Sequence, residues 1–113
     1  SEMCIRDSNQ SVAERAKTYI EAHYADSGLT LDQVAGEMGI SPNYFSALFK
    51  QSTGSSFINY LTNVRISQAK EFLKSGNYKT YEVSMRCGYE NPTYFSTIFK
   101  RRTGVSPSEY RDE

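Results

Sequence analysis

Apolar residues recur along this chain at the three- and four-residue spacing of an amphipathic α-helix. Phe45, Leu48 and Phe49 fall on one helical face, whereas Asn43, Ser46, Ala47 and Lys50 fall on the other. A longer run repeats the spacing at Phe57, Leu61, Val64, Ala69, Phe72 and Leu73. This periodicity predicts an all-α protein in which the apolar faces form the core and the polar faces look outward.

Capping signals place the predicted helix boundaries. Ser11 with Glu14, and Thr30 with Gln33, have the form of capping boxes, and Ser41 precedes a proline suited to a first helical turn. Gly39 can turn the chain sharply because it tolerates positive φ. Residues 1–10 are polar without a period, so we expect a linker or cloning remnant there and a first helix that begins near Ser11.

The chain contains an internal repeat. Residues 42–60 match residues 92–110 at ten of nineteen positions, and both copies run through a Thr-Gly pair. Each copy reads as helix, tight turn, helix. The predicted fold class is therefore all-α, with two helix-turn-helix subdomains, residues 11–54 and 79–111, joined by a long linker helix over residues 56–75. About seven helices are expected in the domain, which spans residues 11–113.

Composition narrows the possible classes of protein. Hydrophobic residues make up 38% and charged residues 23% of the 113, and no apolar run approaches the ~20 residues that span a bilayer. No signal sequence is recognisable, so we expect a cytoplasmic protein. Because the first methionine is Met3 and not residue 1, we expect a fragment of a longer protein. Cys4 and Cys87 lie far apart without metal-ligand spacing, and no acid-base or nucleophile constellation recurs. We expect no cofactor, no metal and no enzymatic activity.

Charge is distributed unevenly although the formal net charge is zero. Residues 1–49 carry three basic and seven acidic groups, whereas residues 50–113 carry ten basic and six acidic groups. Lys100, Arg101 and Arg102 form a basic cluster at the end of the second repeated motif. An anionic partner would be attracted mainly to the second portion, although such a cluster can also be a solvated helix end.

Two helix-turn-helix units suit duplex DNA, because the major groove is ~12 Å wide and accepts one α-helix. A helical protein-interaction module is the alternative from another class. Such a module would need exposed apolar anchors on the outward faces, where Asn43, Ser46, Lys50, Thr93 and Ser96 stand instead. The polar faces therefore favour DNA.

The motifs resemble a known family over roughly residues 11–111. They are residues 39–50 (GISPNYFSALFK), 53–54 (TG), 65–70 (RISQAK), 88–100 (GYENPTYFSTIFK) and 103–111 (TGVSPSEYR). This pattern is similar to the AraC/XylS-type DNA-binding domain of transcription regulators. The resemblance implies a seven-helix fold with two recognition helices, which enter successive major grooves of double-stranded DNA.

Within the family, residues 16–21 and 81–83 most resemble output domains of two-component response regulators. The alternative is a fragment of an effector-sensing, sugar-type regulator, since those members share most of the pattern. A receiver or effector domain upstream of this chain would supply dimerisation. A regulator can also contact RNA polymerase, but no patch in the sequence identifies itself as the contact surface.

The resemblance also implies site residues. Base-edge contacts fall at Asn43, Ser46 and Ala47 in the first unit and at Thr93, Ser96 and Thr97 in the second. Ala47 and Thr97 depart from the Arg or Lys common in the family, so we expect readout to rest on Asn43, which could pair with adenine or could merely support the start of its helix. The candidates for phosphate contacts are Lys50, Lys100, Arg101, Arg102, Tyr44 and Tyr94, although the two tyrosines could instead serve packing. Arg65 could tie the subdomains together or touch the DNA backbone.

Overall fold

The computed structural model describes residues 2–113, with side chains from residue 10 onward. Within this range the chain forms seven α-helices and no strand, which confirms the predicted class. The helices are α1 Glu2–His23, α2 Leu31–Met38, α3 Pro42–Thr53, α4 Phe57–Ser75, α5 Thr80–Arg86, α6 Pro92–Thr103 and α7 Pro107–Asp112. The predicted caps Thr30 and Ser41 directly precede α2 and α3, and α4 begins one residue after its predicted start at residue 56.

Helix α1 is longer than its sequence signals predict. It begins at Glu2, so the prediction that it starts at a Ser11 cap is wrong. Residues 1–27 contain no proline or glycine, so no helix-breaking residue interrupts a helix that runs through Ser11. The assignment of residues 1–10 as a linker stays a prediction, and Ser1 lies outside the described residues.

The helices divide into two compact units. Unit 1 comprises Ser1–His23 and Leu29–Thr62, and unit 2 comprises Tyr24–Gly28 and Asn63–Glu113. Helix α4 begins in unit 1 and continues into unit 2. In unit 1, helices α1, α2 and α3 pack against one another. Their buried apolar residues form the core of that unit: Ala13, Ala16, Ile20, Val34, Ala35, Phe45, Leu48 and Phe49.

Unit 2 has its own core, built from the second part of α4 with α5 and α6. Its buried members are Ile66, Ala69, Leu73, Val83, Cys87, Tyr89, Phe95 and Phe99. Cys87 is fully buried and occupies the place of an apolar side chain in this core. Burial raises the pKa of its thiol to about 12.

The sequence repeat is also a repeat of hydrogen bonds. Thr53 Oγ1 donates to the carbonyl oxygen of Phe49 at 2.7 Å, and Thr103 Oγ1 donates to that of Phe99 at 2.8 Å. Each threonine also accepts from the amide two residues on, at 3.2 Å in the first copy and 3.3 Å in the second. Helices α3 and α6 therefore end in turns with the same hydrogen bonds.

Candidate nucleic-acid interface

The turn between α2 and α3 in unit 1 is set by Gly39 and Ser41. Gly39 adopts φ +76°, a left-handed conformation that favours glycine. Ser41 caps α3, because its hydroxyl accepts a hydrogen bond from the amide of Tyr44 at 3.3 Å. Pro42 then occupies the first turn, where its missing N–H costs no hydrogen bond. The predicted helix, tight turn and capped helix are confirmed here.

Helix α3 separates an apolar face from a polar one. Phe45 and Phe49 are fully buried and Leu48 is nearly so. The four side chains predicted to look outward are all exposed: Asn43, Ser46, Ala47 and Lys50. The cap at the start of α3 is supplied by Ser41.

The turn between α5 and α6 in unit 2 also contains a glycine with positive φ, but a different residue type caps the helix that follows. Gly88 adopts φ +90°, and Asn91 takes the capping role of Ser41. The Oδ1 atom of Asn91 accepts from the amides of Thr93 at 2.9 Å and Tyr94 at 3.1 Å. An asparagine directly before Pro92 is the sequence signal for this cap.

Helix α6 presents a less open polar face than α3. Thr93 and Thr97 are exposed, whereas Ser96 is half-buried. The hydroxyl of Thr97 donates to the carbonyl oxygen of Thr93 at 3.1 Å. Thr93 and Thr97 therefore face outward as predicted, whereas Ser96 does so only in part.

The predicted phosphate-contacting cations all lie on the surface. Lys50 and Lys100 are exposed at matching places on α3 and α6. Arg101 is exposed, and Arg102 is exposed while its Nη1 donates to Oδ1 of Asn63 at 2.9 Å. Because α6 ends at Thr103, all three of its basic residues lie in its last turn, where they also interact favourably with the helix dipole.

Tyr44 and Tyr94 occupy matching positions near the starts of the reading helices and are 52% and 55% exposed. The ring of Tyr94 lies 5.9 Å from that of Tyr89, measured between centroids. Half of each side chain is thus available to a ligand, and part of Tyr94 serves packing.

Arg65 is a structural residue of unit 2. It is 9% exposed, and its guanidinium donates from Nε to the carbonyl oxygen of Tyr24 and from Nη2 to that of Asp26, both at 2.9 Å. Its Cζ lies 5.2 Å from the ring centroid of Tyr89. The buried guanidinium thus ties Tyr24 and Asp26 to α4 within unit 2.

Two apolar side chains on α5 were not singled out from the sequence. Tyr81 is 56% and Met85 55% exposed, one turn apart on the same face. The matched positions of α2 hold Asp32 and Gly36, so this patch belongs to unit 2 alone.

Among the described helices, none combines the length and apolar character needed to cross a membrane.

Comparison with known proteins identifies the same architecture. Residues 34–113 match a family described as "Helix-turn-helix domain". The uncharacterized HTH-type transcriptional regulator YijO of Escherichia coli is 39% identical over 103 residues, which are 91% of this chain and 36% of that protein. The chain thus spans about a third of the length of this curated relative.

Solved structures share the fold over most of the chain. The C-terminal domain of AraT, a response regulator from Geobacillus stearothermophilus, is 44% identical with a TM-score of 0.87, covering 89% of this chain and 84% of that one. The DNA-binding domain of the global transcriptional factor AdpA, in complex with a target DNA, is 27% identical with a TM-score of 0.83, covering 88% and 89%.

Proposed function

The chain belongs to the AraC-type helix-turn-helix family, and from this premise we propose that it is the sequence-specific DNA-binding domain of a transcription regulator. One observation carries the proposal: two copies of a capped helix bury matching phenylalanines and expose a polar face. Such a helix can enter a major groove while the helix before it braces the backbone. The AdpA domain, whose fold this chain shares, is described in complex with DNA.

We assign base reading to the outward positions of the two helices. In α3 these are Asn43, Ser46 and Ala47, and in α6 they are Thr93, Ser96 and Thr97. The amide of Asn43 can make two hydrogen bonds to an adenine edge, hydroxyls can make one, and the Ala47 methyl suits a thymine methyl. Reading by both helices in successive major grooves would let one chain do the work of a dimer.

Phosphate contacts are assigned to Lys50, Lys100, Arg101 and Arg102, with the hydroxyls of Tyr44 and Tyr94 as further donors. Phosphate contacts fix the register of a protein on the duplex and supply the salt-dependent part of affinity. With a net charge of zero, we expect modest affinity for random DNA.

For the whole protein we propose a response regulator in which this domain is the output. The similarity to the AraT domain supports that role over the effector-sensing alternative. A receiver domain outside this chain would supply the signal and dimerisation, and we propose RNA polymerase as a further partner of the regulator. Such a regulator works in the bacterial cytoplasm, where its DNA is.

The proposal is tested by selecting bound sites from a random duplex library at fixed salt. We expect an enriched site with two short motifs about 10 base pairs apart, which is one helical turn. The control is the Lys74→Gln variant, which changes an exposed cation on α4 and should select the same site. If the chain enriches no sequence over the starting library, the proposal of specific DNA binding by this domain is wrong.

A further inference from the structure

We infer that the two units divide the work of DNA binding: unit 2 supplies most of the phosphate contacts, and unit 1 supplies most of the discrimination between bases. This inference rests on the proposed function and adds what each half of the DNA site must look like. It comes from two independent differences between matched positions of the repeated helices.

The first difference is charge. Helix α3 has one basic residue, Lys50, whereas α6 has three. Gln51 and Ser52 stand where α6 has Arg101 and Arg102, and all four are exposed. The same contrast in charge recurs near the ends of the bracing helices, which are α2 before α3 and α5 before α6. Each phosphate that a cation neutralises adds about 0.9 to the slope of log K against log salt. Unit 2 therefore holds most of the salt-dependent affinity.

At those bracing-helix ends, exposed Glu37 in α2 matches exposed Arg86 in α5 at an offset of 49 residues. A carboxylate repels phosphate, so Glu37 lowers the electrostatic contribution of unit 1 further. The cation of Arg86 also lies over the ring of Tyr78, with Cζ 4.6 Å from the centroid, which holds it on the surface of unit 2.

The second difference is the availability of hydrogen-bonding groups. In α6 the Thr97 hydroxyl already donates to its own helix at 3.1 Å, and Ser96 is half-buried. In α3 both Asn43 and Ser46 are exposed, and neither side chain makes a hydrogen bond within the described part of the chain. Asn43 is also the only one of the six reading residues that can pair with one base through two hydrogen bonds.

Together these differences predict an asymmetric DNA ligand. The half-site under α3 should be strongly defined, with an adenine opposite Asn43 and tolerance for a thymine methyl at Ala47. The half-site under α6 should be less strongly defined, because cations on phosphates give affinity without base discrimination. The ligand is thus a directional duplex site with one strongly and one weakly defined half.

The test measures binding of the 113-residue chain to its selected duplex and to a scrambled duplex, between about 50 and 200 mM salt. Arg101→Gln, which installs the residue that α3 has at the matched position, should lower the slope by about 0.9 for both duplexes and leave their affinity ratio unchanged. Lys74→Gln removes the same charge outside the reading helices and should leave the slope unchanged. Gln51→Arg should raise the slope by about 0.9.

Base discrimination is tested with the same two duplexes. Asn43→Ala should lower the ratio of specific to scrambled affinity by about 5- to 150-fold, the equivalent of one bidentate contact, without changing the slope. Asn59→Ala, the same change at an exposed position of α4, should leave the ratio unchanged. Thr97→Val removes the engaged hydroxyl while keeping the methyl, and should lower the ratio much less than Asn43→Ala does.

The division of work is overturned if Arg101→Gln keeps the wild-type slope, or if Thr97→Val lowers the affinity ratio as much as Asn43→Ala does. These results differ from failure of the proposed function, in which the wild-type chain binds both duplexes equally and no variant has a ratio to change. All the substituted side chains are exposed, so a circular dichroism spectrum like that of the wild type is expected for each variant.

Discussion

The guanidinium of Arg65 donates a hydrogen bond from Nε to the main-chain carbonyl oxygen of Tyr24, with 2.9 Å between the two atoms. Gly88 packs directly against this pair. A Cβ placed on Gly88 would lie 2.4 Å from the Tyr24 oxygen and 2.8 Å from Arg65 Nε. The turn before the second reading helix thus needs glycine for space as well as for its backbone conformation.

The matched glycines of the two turns should therefore respond differently to substitution. Gly39→Ala meets no atom within 4 Å and should cost only the left-handed conformation, about 1–2 kcal/mol. Gly88→Ala adds overpacking against a backbone atom, so we expect a total loss of about 2–5 kcal/mol. Urea unfolding followed by circular dichroism measures both. Equal losses would show that the Arg65 and Tyr24 contacts do not restrict residue 88.

Arg65→Lys tests whether the fork geometry of the guanidinium stabilises unit 2. Lysine keeps the charge but cannot donate to Tyr24 and Asp26 in the same planar arrangement, so we expect a loss of about 1.5–3 kcal/mol in the free energy of unfolding. The matched control is Arg102→Lys, since Arg102 is exposed and bonds Asn63 at the surface. That control should cost less than about 1 kcal/mol. Similar losses in both variants would contradict a special role for the buried arginine.

The threonine that ends each reading helix should be equally important in both units. Thr53→Val and Thr103→Val keep the shape but remove a hydroxyl that both donates and accepts in a half-buried turn. Each should lower stability by about 1–3 kcal/mol, because a backbone amide loses its acceptor. Thr18→Val removes an exposed hydroxyl bond within α1 and should change stability by less than about 0.5 kcal/mol. Thermal unfolding of the three variants separates these cases.

The sequence predicts the local parts of this fold well because their causes are local. A serine before a proline caps α3, and the spacing of Phe45 and Phe49 sets the buried face, so both could be read from adjacent residues. Ser11 and Glu14 show the limit of such motifs. A capping box is compatible with a helix interior, and only a breaker residue would have decided between the two.

The remaining features depend on contacts between residues distant in sequence. Gly39 and Gly88 give the same turn signal, yet only Gly88 lies against Tyr24 and Arg65. The exposure of Asn43 followed from periodicity, whereas the partial burial of Ser96 did not, although it matches exposed Ser46 in the repeat. Tertiary packing, which differs between the units, decides these cases.

Alkaline pH should destabilise unit 2 through Cys87. Burial raises the pKa of this thiol from 9.0 to about 12, so the folded protein retains a proton that the unfolded chain releases. The stability that the protonated thiol contributes is complete below pH 9. It is lost as pH rises from 9 towards 12, at up to about 1.4 kcal/mol per pH unit. Tyr60, whose pKa is raised to about 12 by burial and by its bond to Glu21, adds a second loss that starts only near pH 10.

Between pH 9 and 10 the thiol therefore accounts for most of the fall in stability, because Tyr24 and Tyr60, whose pKa values burial also raises from 10.0, lose less over this interval. Cys87→Ala removes the thiol, so its free energy of unfolding should fall less over this interval than that of the wild-type chain. Tyr60→Phe should follow the wild type up to pH 10 and then fall less steeply, because its ring still packs against Phe49 but carries no proton to lose. Parallel curves for the wild type and Cys87→Ala between pH 9 and 10 would mean that the buried thiol is not the group whose titration weakens the fold.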